Sequence, residues 1–279
     1  MDDATGHRAQ PANTVQPTST VPVDFTGRAV IVTGGTRGIG RGIAEAFLAA
    51  GADVLVCGRN EPGRLPEAGG RRAVFAAADV RDAAQAATVT QAAVDAFERL
   101  DVLVNNAGGS PNADAATVSP RFVERIVALN LLAPFYLSQP ANAVMQQQDG
   151  GGSIINIGSV SAHQAAPLSA AYSAAKAGLV QLTRSLALEW APKVRVNHIT
   201  AGLVMTENAA EHYGRDGGAS VARAIPMGRM AVPADVASAC LFLASPLACY
   251  VTGADLAVHG GGEIPARFLA AQDTDSAGP

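Results

Sequence analysis

Short apolar runs, each closed by small or polar turn residues and followed by a stretch with helical spacing, predict an α/β fold. The expected form is an open parallel sheet with helices packed on it, in a single domain. Two further observations agree. A glycine-rich turn, Gly34-Gly-Thr-Arg-Gly38-Ile-Gly40, joins the first apolar run directly to a helical pattern. The composition is that of a compact chain able to bury a substantial core: 48% hydrophobic and 16% charged residues among 279. No internal repeat or second domain is legible. The expected boundaries are 1–22 for a loose N-terminal tail rich in Pro, Thr, Ser and Gln, 23–263 for the folded domain, and 264–279 for a C-terminal extension.

Charge and cysteine content exclude several function classes. A formal charge of −4 leaves no basic field for nucleic acid or anionic membrane. No apolar run reaches the roughly 18 residues of a membrane-crossing helix, and residues 1–22 lack the basic-then-apolar order of a signal peptide. Three cysteines without paired or zinc-like spacing argue against a disulfide framework and fit a reducing, cytoplasmic setting.

Arg28-Ala-Val-Ile-Val-Thr33 reads as the first strand, buried on both faces. The glycine turn comes next, and then a helix with Ile43, Phe47 and Leu48 on one side, stopped at Gly51. Strand, glycine turn and helix in that order let backbone N–H groups at a helix N-terminus face a pyrophosphate. Gly34, Thr36, Arg37, Gly38, Ile39 and Gly40 are therefore candidate cofactor-binding residues. The spacing Thr33-Gly34-x-x-x-Gly38-x-Gly40 differs from the commoner dinucleotide fingerprint and is more selective.

Asp53-Val-Leu-Val-Cys-Gly58 is the second strand. At its end a carboxylate ordinarily accepts hydrogen bonds from the adenosine ribose hydroxyls, yet Gly58 and Arg59 stand there. Glycine leaves room for a 2′-phosphate and arginine supplies charge-assisted donors, with Arg37 a second cation for the same group. The alternative is that both arginines are solvated loop residues. The phosphate reading predicts NADP(H) in preference to NAD(H).

Ala73 to Val80 is the third strand, with Asp79 at its exit as a candidate acceptor for the adenine amino group and Val80 beside it. A helix carrying Val89, Ala93, Phe97 and Leu100 leads to the fourth strand and its turn, Asp101-Val-Leu-Val-Asn105-Asn-Ala-Gly108. Asn105 is assigned a structural duty, and Asn106, Ala107 and Gly108 a place against the cofactor. Arg121 to Met145 reads as one long helix containing Pro134 and Pro140. Proline at 134 has no N–H for the carbonyl of Asn130, so the helix should bend there and leave that oxygen for a water. The other reading ends the helix at that point.

Gly152-Ser-Ile-Ile-Asn-Ile-Gly158 is the fifth strand, and Ser159 lies just past its carboxyl end, where open parallel sheets bind ligands. His163 is read as a substrate-side or solvated histidine. A helix from Ala171 to Trp190 carries Tyr172 and Lys176, four apart and therefore on one face. A lysine ammonium so placed favours the phenolate and lowers the tyrosine pKa from about 10. The tyrosine then serves as an acid or base near neutral pH, and Ser159 could bond the oxygen it protonates. Lys193 to Ile199 is the sixth strand, an irregular lid-like stretch runs from about Leu203 to Arg229, and a helix from Pro233 to Leu243 precedes the seventh strand, Ala254 to Val258. An apolar patch, Ile264 to Leu269, opens the C-terminal extension.

From about Phe25 to Gly262 these motifs, in this order, resemble the short-chain dehydrogenase/reductase family. The resemblance implies a single-domain, Rossmann-type, doubly wound seven-stranded parallel sheet, a homotetramer, and a nicotinamide cofactor. It implies that Asn130, Ser159, Tyr172 and Lys176 are catalytic. Ser159 polarises the substrate oxygen and Tyr172 is the general acid. Lys176 binds the nicotinamide ribose and lowers the tyrosine pKa, and Asn130 holds the water of a proton relay. Tyr172 and Lys176 thus touch the cofactor too, together with Gly202, Val204 and Thr206 after the sixth strand. Three departures from the family pattern stand out: Ala201-Gly202 where Pro-Gly is common, Gly158 where Ser precedes the catalytic serine, and His259 where the final motif has Asp. The last falls near surfaces that form subunit contacts in the family.

The expected activity is NADP(H)-dependent reduction of a ketone or aldehyde, of 3-oxoacyl or polyketide type, or oxidation of the matching secondary alcohol. The partner is that small molecule. The alternative is a non-catalytic nicotinamide-nucleotide-binding scaffold or redox sensor on the same fold; four intact catalytic positions count against it.

Overall fold

The computed structural model describes residues 23–207 and 218–265. The expected tail at 1–22, part of the lid-like stretch and most of the C-terminal patch lie outside them. Seven strands form one sheet: β1 Ala29–Thr33, β2 Asp53–Gly58, β3 Val74–Ala77, β4 Val102–Asn105, β5 Gly152–Ile157, β6 Val194–Ala201 and β7 Asp255–Val258. Their order is β3-β2-β1-β4-β5-β6-β7, and every pairing is parallel. The order reverses between β1 and β4, which opens a crevice beyond their carboxyl ends.

Helices α1 (Gly38–Ala49), α2 (Ala83–Phe97), α3 (Pro120–Val127), α4 (Ala133–Gln147), α5 (Ala170–Trp190), α6 (Ala219–Arg223) and α7 (Pro233–Ala244) connect the strands. The alternation of strand side chains builds two cores. Val30 and Val32 of β1 pack with Val54, Val56, Ile43 and Phe47 and with Val236 and Leu243, under α1 and α7. Ile31 between them packs on the opposite face with Leu55, Leu103, Val89, Leu137 and Leu186, under α2, α4 and α5. Helices on both faces make the sheet doubly wound, as the sequence predicts. Among the described residues no helix is long and apolar enough to cross a membrane.

Four details differ from the sequence expectations. The long helix predicted over Arg121–Met145 is two α-helices joined by a π-helical turn, Ala128–Leu132. Pro134 lacks an N–H, and the wider turn, in which Ala133 N–H reaches Ala128 O, carries the chain past it. The irregularity is centred on Asn130, where the bend was expected. A two-stranded hairpin, Glu67–Ala68 with Arg71–Arg72, stands in a segment read as loop, because two-residue strands have no legible period. The sixth strand runs two residues further, to Ala201, and the third is confined to Val74–Ala77. The stretch after Gly202 holds more order than predicted. It includes α6, and Leu203 and Met205 exchange backbone bonds with Ala231 at 3.0 and 2.7 Å.

Candidate active site

The site grows out of the carboxyl ends of β1, β4 and β5. Thr33 ends β1, and its buried hydroxyl accepts the N–H groups of Asn106 and Ala107 at 3.0 and 2.9 Å. The Asn106 amide returns the contact, donating to Thr33 O at 2.8 Å and Gly34 O at 3.3 Å. The glycine turn and the Asn-Asn-Ala-Gly turn are thereby locked together, and the Asn106 side chain is spent on that lock. Asn105 has the structural duty expected of it: wholly buried, it donates to Asn156 Oδ1 at 2.8 Å and Ser138 Oγ at 3.1 Å.

Asn130 sits in the π-helical turn and is fully buried. Its amide pairs with both backbone groups of Gly109, accepting from N–H at 2.9 Å and donating to O at 3.0 Å, and also donates to Ile126 O at 2.9 Å. A β-carbon on Gly108 would lie 2.9 Å from Asn130 Oδ1 and 3.3 Å from Lys176 Nζ. Glycine is what permits both side chains to approach the back of this turn.

Lys176 projects from α5 into the same space. It is buried, and its ammonium donates to Ile157 O at 2.7 Å. Burial brings its pKa down to about 8, so the ammonium still predominates at neutral pH. Nζ lies 5.7 Å from the centre of the half-buried Tyr172 ring. The i,i+4 spacing thus does bring the cation beside the ring. Ser159 follows Ile157 by two residues and caps a 3-10 turn, Val160–Ala162, against which α5 packs. Its Oγ accepts Ser161 N–H at 3.2 Å, which leaves the hydroxyl proton to donate.

The outer residues are arranged around the crevice mouth. Arg37 precedes α1 and is exposed, as is Arg59 beyond β2. Gly58 leaves ordinary space beside Thr36: a β-carbon there would be 4.0 Å from Thr36 Cγ2. The charge of Arg59 reaches the Asp79 carboxylate, and the charges of Arg37 and Arg41 reach that of Glu207. Asp79 is also gripped by Arg81, whose hydrogen bonds hold its carboxyl below the usual range. A cavity of about 390 Å³ opens beside Asp79, Arg81 and Gln85, with Glu124 and Arg125 on its far side. Val80 and Val204 are buried, and Thr206 lies next to Gly38. Gly202 packs on the backbone of His259 and donates to Val258 O at 3.0 Å.

Sequence reasoning missed three participants. The Glu207 carboxylate accepts the Gly38 N–H at 3.0 Å, an anion on the glycine turn from a residue 169 positions away. His198 and Asp255, on β6 and β7, form a pair at 2.7 Å behind Gly158, with the histidine ring buried and the carboxylate part-buried. His163, expected as substrate-side or solvated, is half-exposed and also tied to that Asp255 at 2.8 Å. The Gly158 departure has its cause here: a β-carbon at 158 would overlap the His198 ring at Nε2 and Cε1.

A family model described as enoyl-(acyl carrier protein) reductase matches residues 34–263. The chain is 36% identical to a D-threitol dehydrogenase of Mycolicibacterium smegmatis, over 86% of this chain and 95% of that one. It is also 36% identical to a 3-oxoacyl-[acyl-carrier-protein] reductase of Chlamydia pneumoniae, over 86% and 98% respectively. An aldohexose dehydrogenase of Thermoplasma acidophilum, solved in ligand-free form, superposes with a TM-score of 0.79 at 31% identity, covering 85% of this chain and 94% of that one.

Proposed function

The chain belongs to the short-chain dehydrogenase/reductase family of oxidoreductases, and on that premise we propose an NADP(H)-dependent enzyme that interconverts a ketone or aldehyde and the matching alcohol. The observation that carries the reading is the convergence of Lys176 Nζ on Ile157 O, the Tyr172 ring and the Gly108 turn, next to the Ser159 cap.

The residues fit a nicotinamide dinucleotide. The Gly38 N–H already holds a carboxylate, which marks the N-terminus of α1 as an acceptor site for anions. Gly34, Thr36, Arg37, Gly38, Ile39 and Gly40 would hold the pyrophosphate. Arg37 and Arg59, beside the open flank of Gly58, would hold a 2′-phosphate, with NAD(H) as the weaker alternative. Asp79 and Val80 would take the adenine side. Asn106 to Gly108, Tyr172, Lys176, Gly202, Val204 and Thr206 would take the nicotinamide side. Bound there, the cofactor supplies or accepts the hydride.

The chain's own residues handle the proton. Tyr172 gives its phenolic proton to the carbonyl oxygen during reduction. Ser159 donates to the same oxygen and orients it. Lys176, charged at neutral pH, stabilises the phenolate left behind and lowers the cost of forming it. Asn130 carries the next water of the relay on its main-chain oxygen, while its side chain fixes Gly109. The substrate class we favour is a 3-oxoacyl or polyketide-type ketone, in line with the acyl-carrier-protein relative. The relatives named for threitol and aldohexoses add polyols and sugars to the set worth assaying.

We place the chain in a homotetramer, with the exposed apolar side chains Leu188, Phe242, Leu247 and Tyr250 available for association, and in the cytoplasm, where three unpaired cysteines stay reduced. The deciding experiment follows NADPH oxidation with 3-oxoacyl thioesters, polyketide-type ketones and keto sugars. Tyr172→Phe should lower kcat by about 10²–10⁴-fold with cofactor Kd unchanged. Tight NADPH binding with no carbonyl consumed would instead favour the non-catalytic scaffold.

A further inference from the structure

The turn that carries Ser159 is held to β6 by the Gly158 N–H bond to Ile199 O at 2.8 Å, and the side chains packed at its two ends lead to one carboxylate. At the far end His163 Nε2 lies 2.8 Å from Asp255 Oδ2 and 3.0 Å from Thr200 Oγ1. At the near end His198 donates Nδ1–H to Asp255 Oδ1 at 2.7 Å, and Thr200 Oγ1 donates to the same oxygen at 2.7 Å. His198 and Thr200 alternate on β6 and so share a face, and Asp255 is the register partner of His198 on β7. The His198 ring, with no exposure to solvent, fills the space a side chain at 158 would need, one residue before Ser159.

We propose that Asp255 is a positioning residue for Ser159, its carboxylate clamping the Gly158–His163 turn onto β6 and β7. The proposal rests on the reading of Ser159 given above. Three observations argue for it. First, a carboxylate with two histidines and a hydroxyl is a poor way to stabilise an edge strand, since apolar residues of similar size would serve as well or better. What such a set adds is a fixed geometry. Second, the His198 proton on Nδ1 is committed to Asp255, so Nε2 is a bare lone pair. It has no hydrogen-bond partner and lies directly behind Gly158. Burial, seconded by the Lys176 charge, keeps this imidazole neutral against the pull of Asp255. The near fastening is therefore packing of a rigid neutral ring, beside the Gly158 N–H bond to Ile199 O. Third, the arrangement explains the Gly158 departure and the otherwise unassigned His163 with one cause. A serine hydroxyl that must meet a substrate oxygen loses orders of magnitude in rate when displaced by about 1 Å.

The test pairs amide hydrogen exchange of the turn with steady-state kinetics, on the full chain. Ala162 and His163 N–H are bonded to Ser159 O and Val160 O at 2.9 Å and report directly on the turn. Asp255→Ala and His163→Ala should each speed exchange at these amides at least tenfold. Each should also lower kcat at least tenfold, with NADPH Kd unchanged. Asp255→Asn, which keeps an acceptor toward His198 and Thr200, should recover both within a few-fold. His163 is a half-exposed loop side chain, so its variant folds even if Asp255→Ala does not. Unchanged exchange in both alanine variants overturns the clamp, and so does a loosened turn with an unaltered kcat. If the wild-type chain consumes no ketone, the enzymatic reading fails by itself, and the exchange result alone decides the clamp.

Discussion

Lys176 is the one lysine the fold buries, and its ammonium donates to a main-chain carbonyl, Ile157 O. Its folded pKa of about 8 lies below the 10.5 of the free side chain. Between those values the unfolded chain holds a proton that the folded chain has released, so stability grows as pH rises through that window. Relative to Lys176→Met, the wild type should gain about 2–3 kcal/mol between pH 7 and 10 in urea titrations. A flat difference would mean that the ammonium is solvated. Arg37 and Arg59 pose the second question at this scale. Replacing them together, Arg59→Asp with Arg37→Ser, should lower the NADPH/NADH ratio of kcat/KM by about 10²-fold or more, since each charge-assisted bond is worth about 1.5–3 kcal/mol. An unaltered ratio would discredit the 2′-phosphate assignment.

At the scale of elements, the two turns that form the cofactor crevice are one unit, joined through Thr33. Its hydroxyl satisfies two amides of the β4 turn. Thr33→Val keeps the shape but removes the acceptor, leaving the Ala107 N–H without its partner and the Asn106 N–H with Val104 O at 3.1 Å, in a half-buried place. The expected cost is about 1–3 kcal/mol by chemical denaturation, with weakened NADPH binding. A variant as stable as the wild type would mean that water replaces the hydroxyl. The π-helical turn is a second such device. Pro134 forces the widening, and the widening sets Asn130 where its amide can take both backbone groups of Gly109.

Across the whole molecule, the end of the sheet opposite the site is pinned by Asp101. Its carboxylate accepts Ala29 N–H at 2.9 Å, at the start of β1, and the guanidinium groups of Arg28 and Arg99 at 2.8 and 2.7 Å. Burial pushes its pKa up, but the bonds from Arg99, Ala29 and Arg28 outweigh that and leave it below the ordinary carboxylate value. The stabilisation is therefore present above about pH 4 and lost as pH falls further. Both arginines are nearly half exposed, at 46% and 42%, so solvent screens the pairs. Asp101→Asn should cost about 1–3 kcal/mol at pH 7, a gap that narrows below pH 4 in thermal melts. A gap independent of pH would assign the loss to packing.

Much of this protein could be read from the chain because its signals are local. Apolar runs of five or six residues mark the strands, glycines at fixed offsets mark the turn into α1, and a four-residue spacing puts Tyr172 above Lys176. Even the break at Asn130 followed from Pro134, four positions on. What the chain did not disclose depends on which strands become neighbours and which way their side chains face. Glu207 meets Gly38 across 169 residues, and His198 meets Asp255 only because β6 and β7 pair in that register. The hairpin at Glu67–Arg72 is too short to carry a period. Local spacing governs backbone conformation, whereas a contact between distant polar side chains has no sequence period and exists only once packing has set the register.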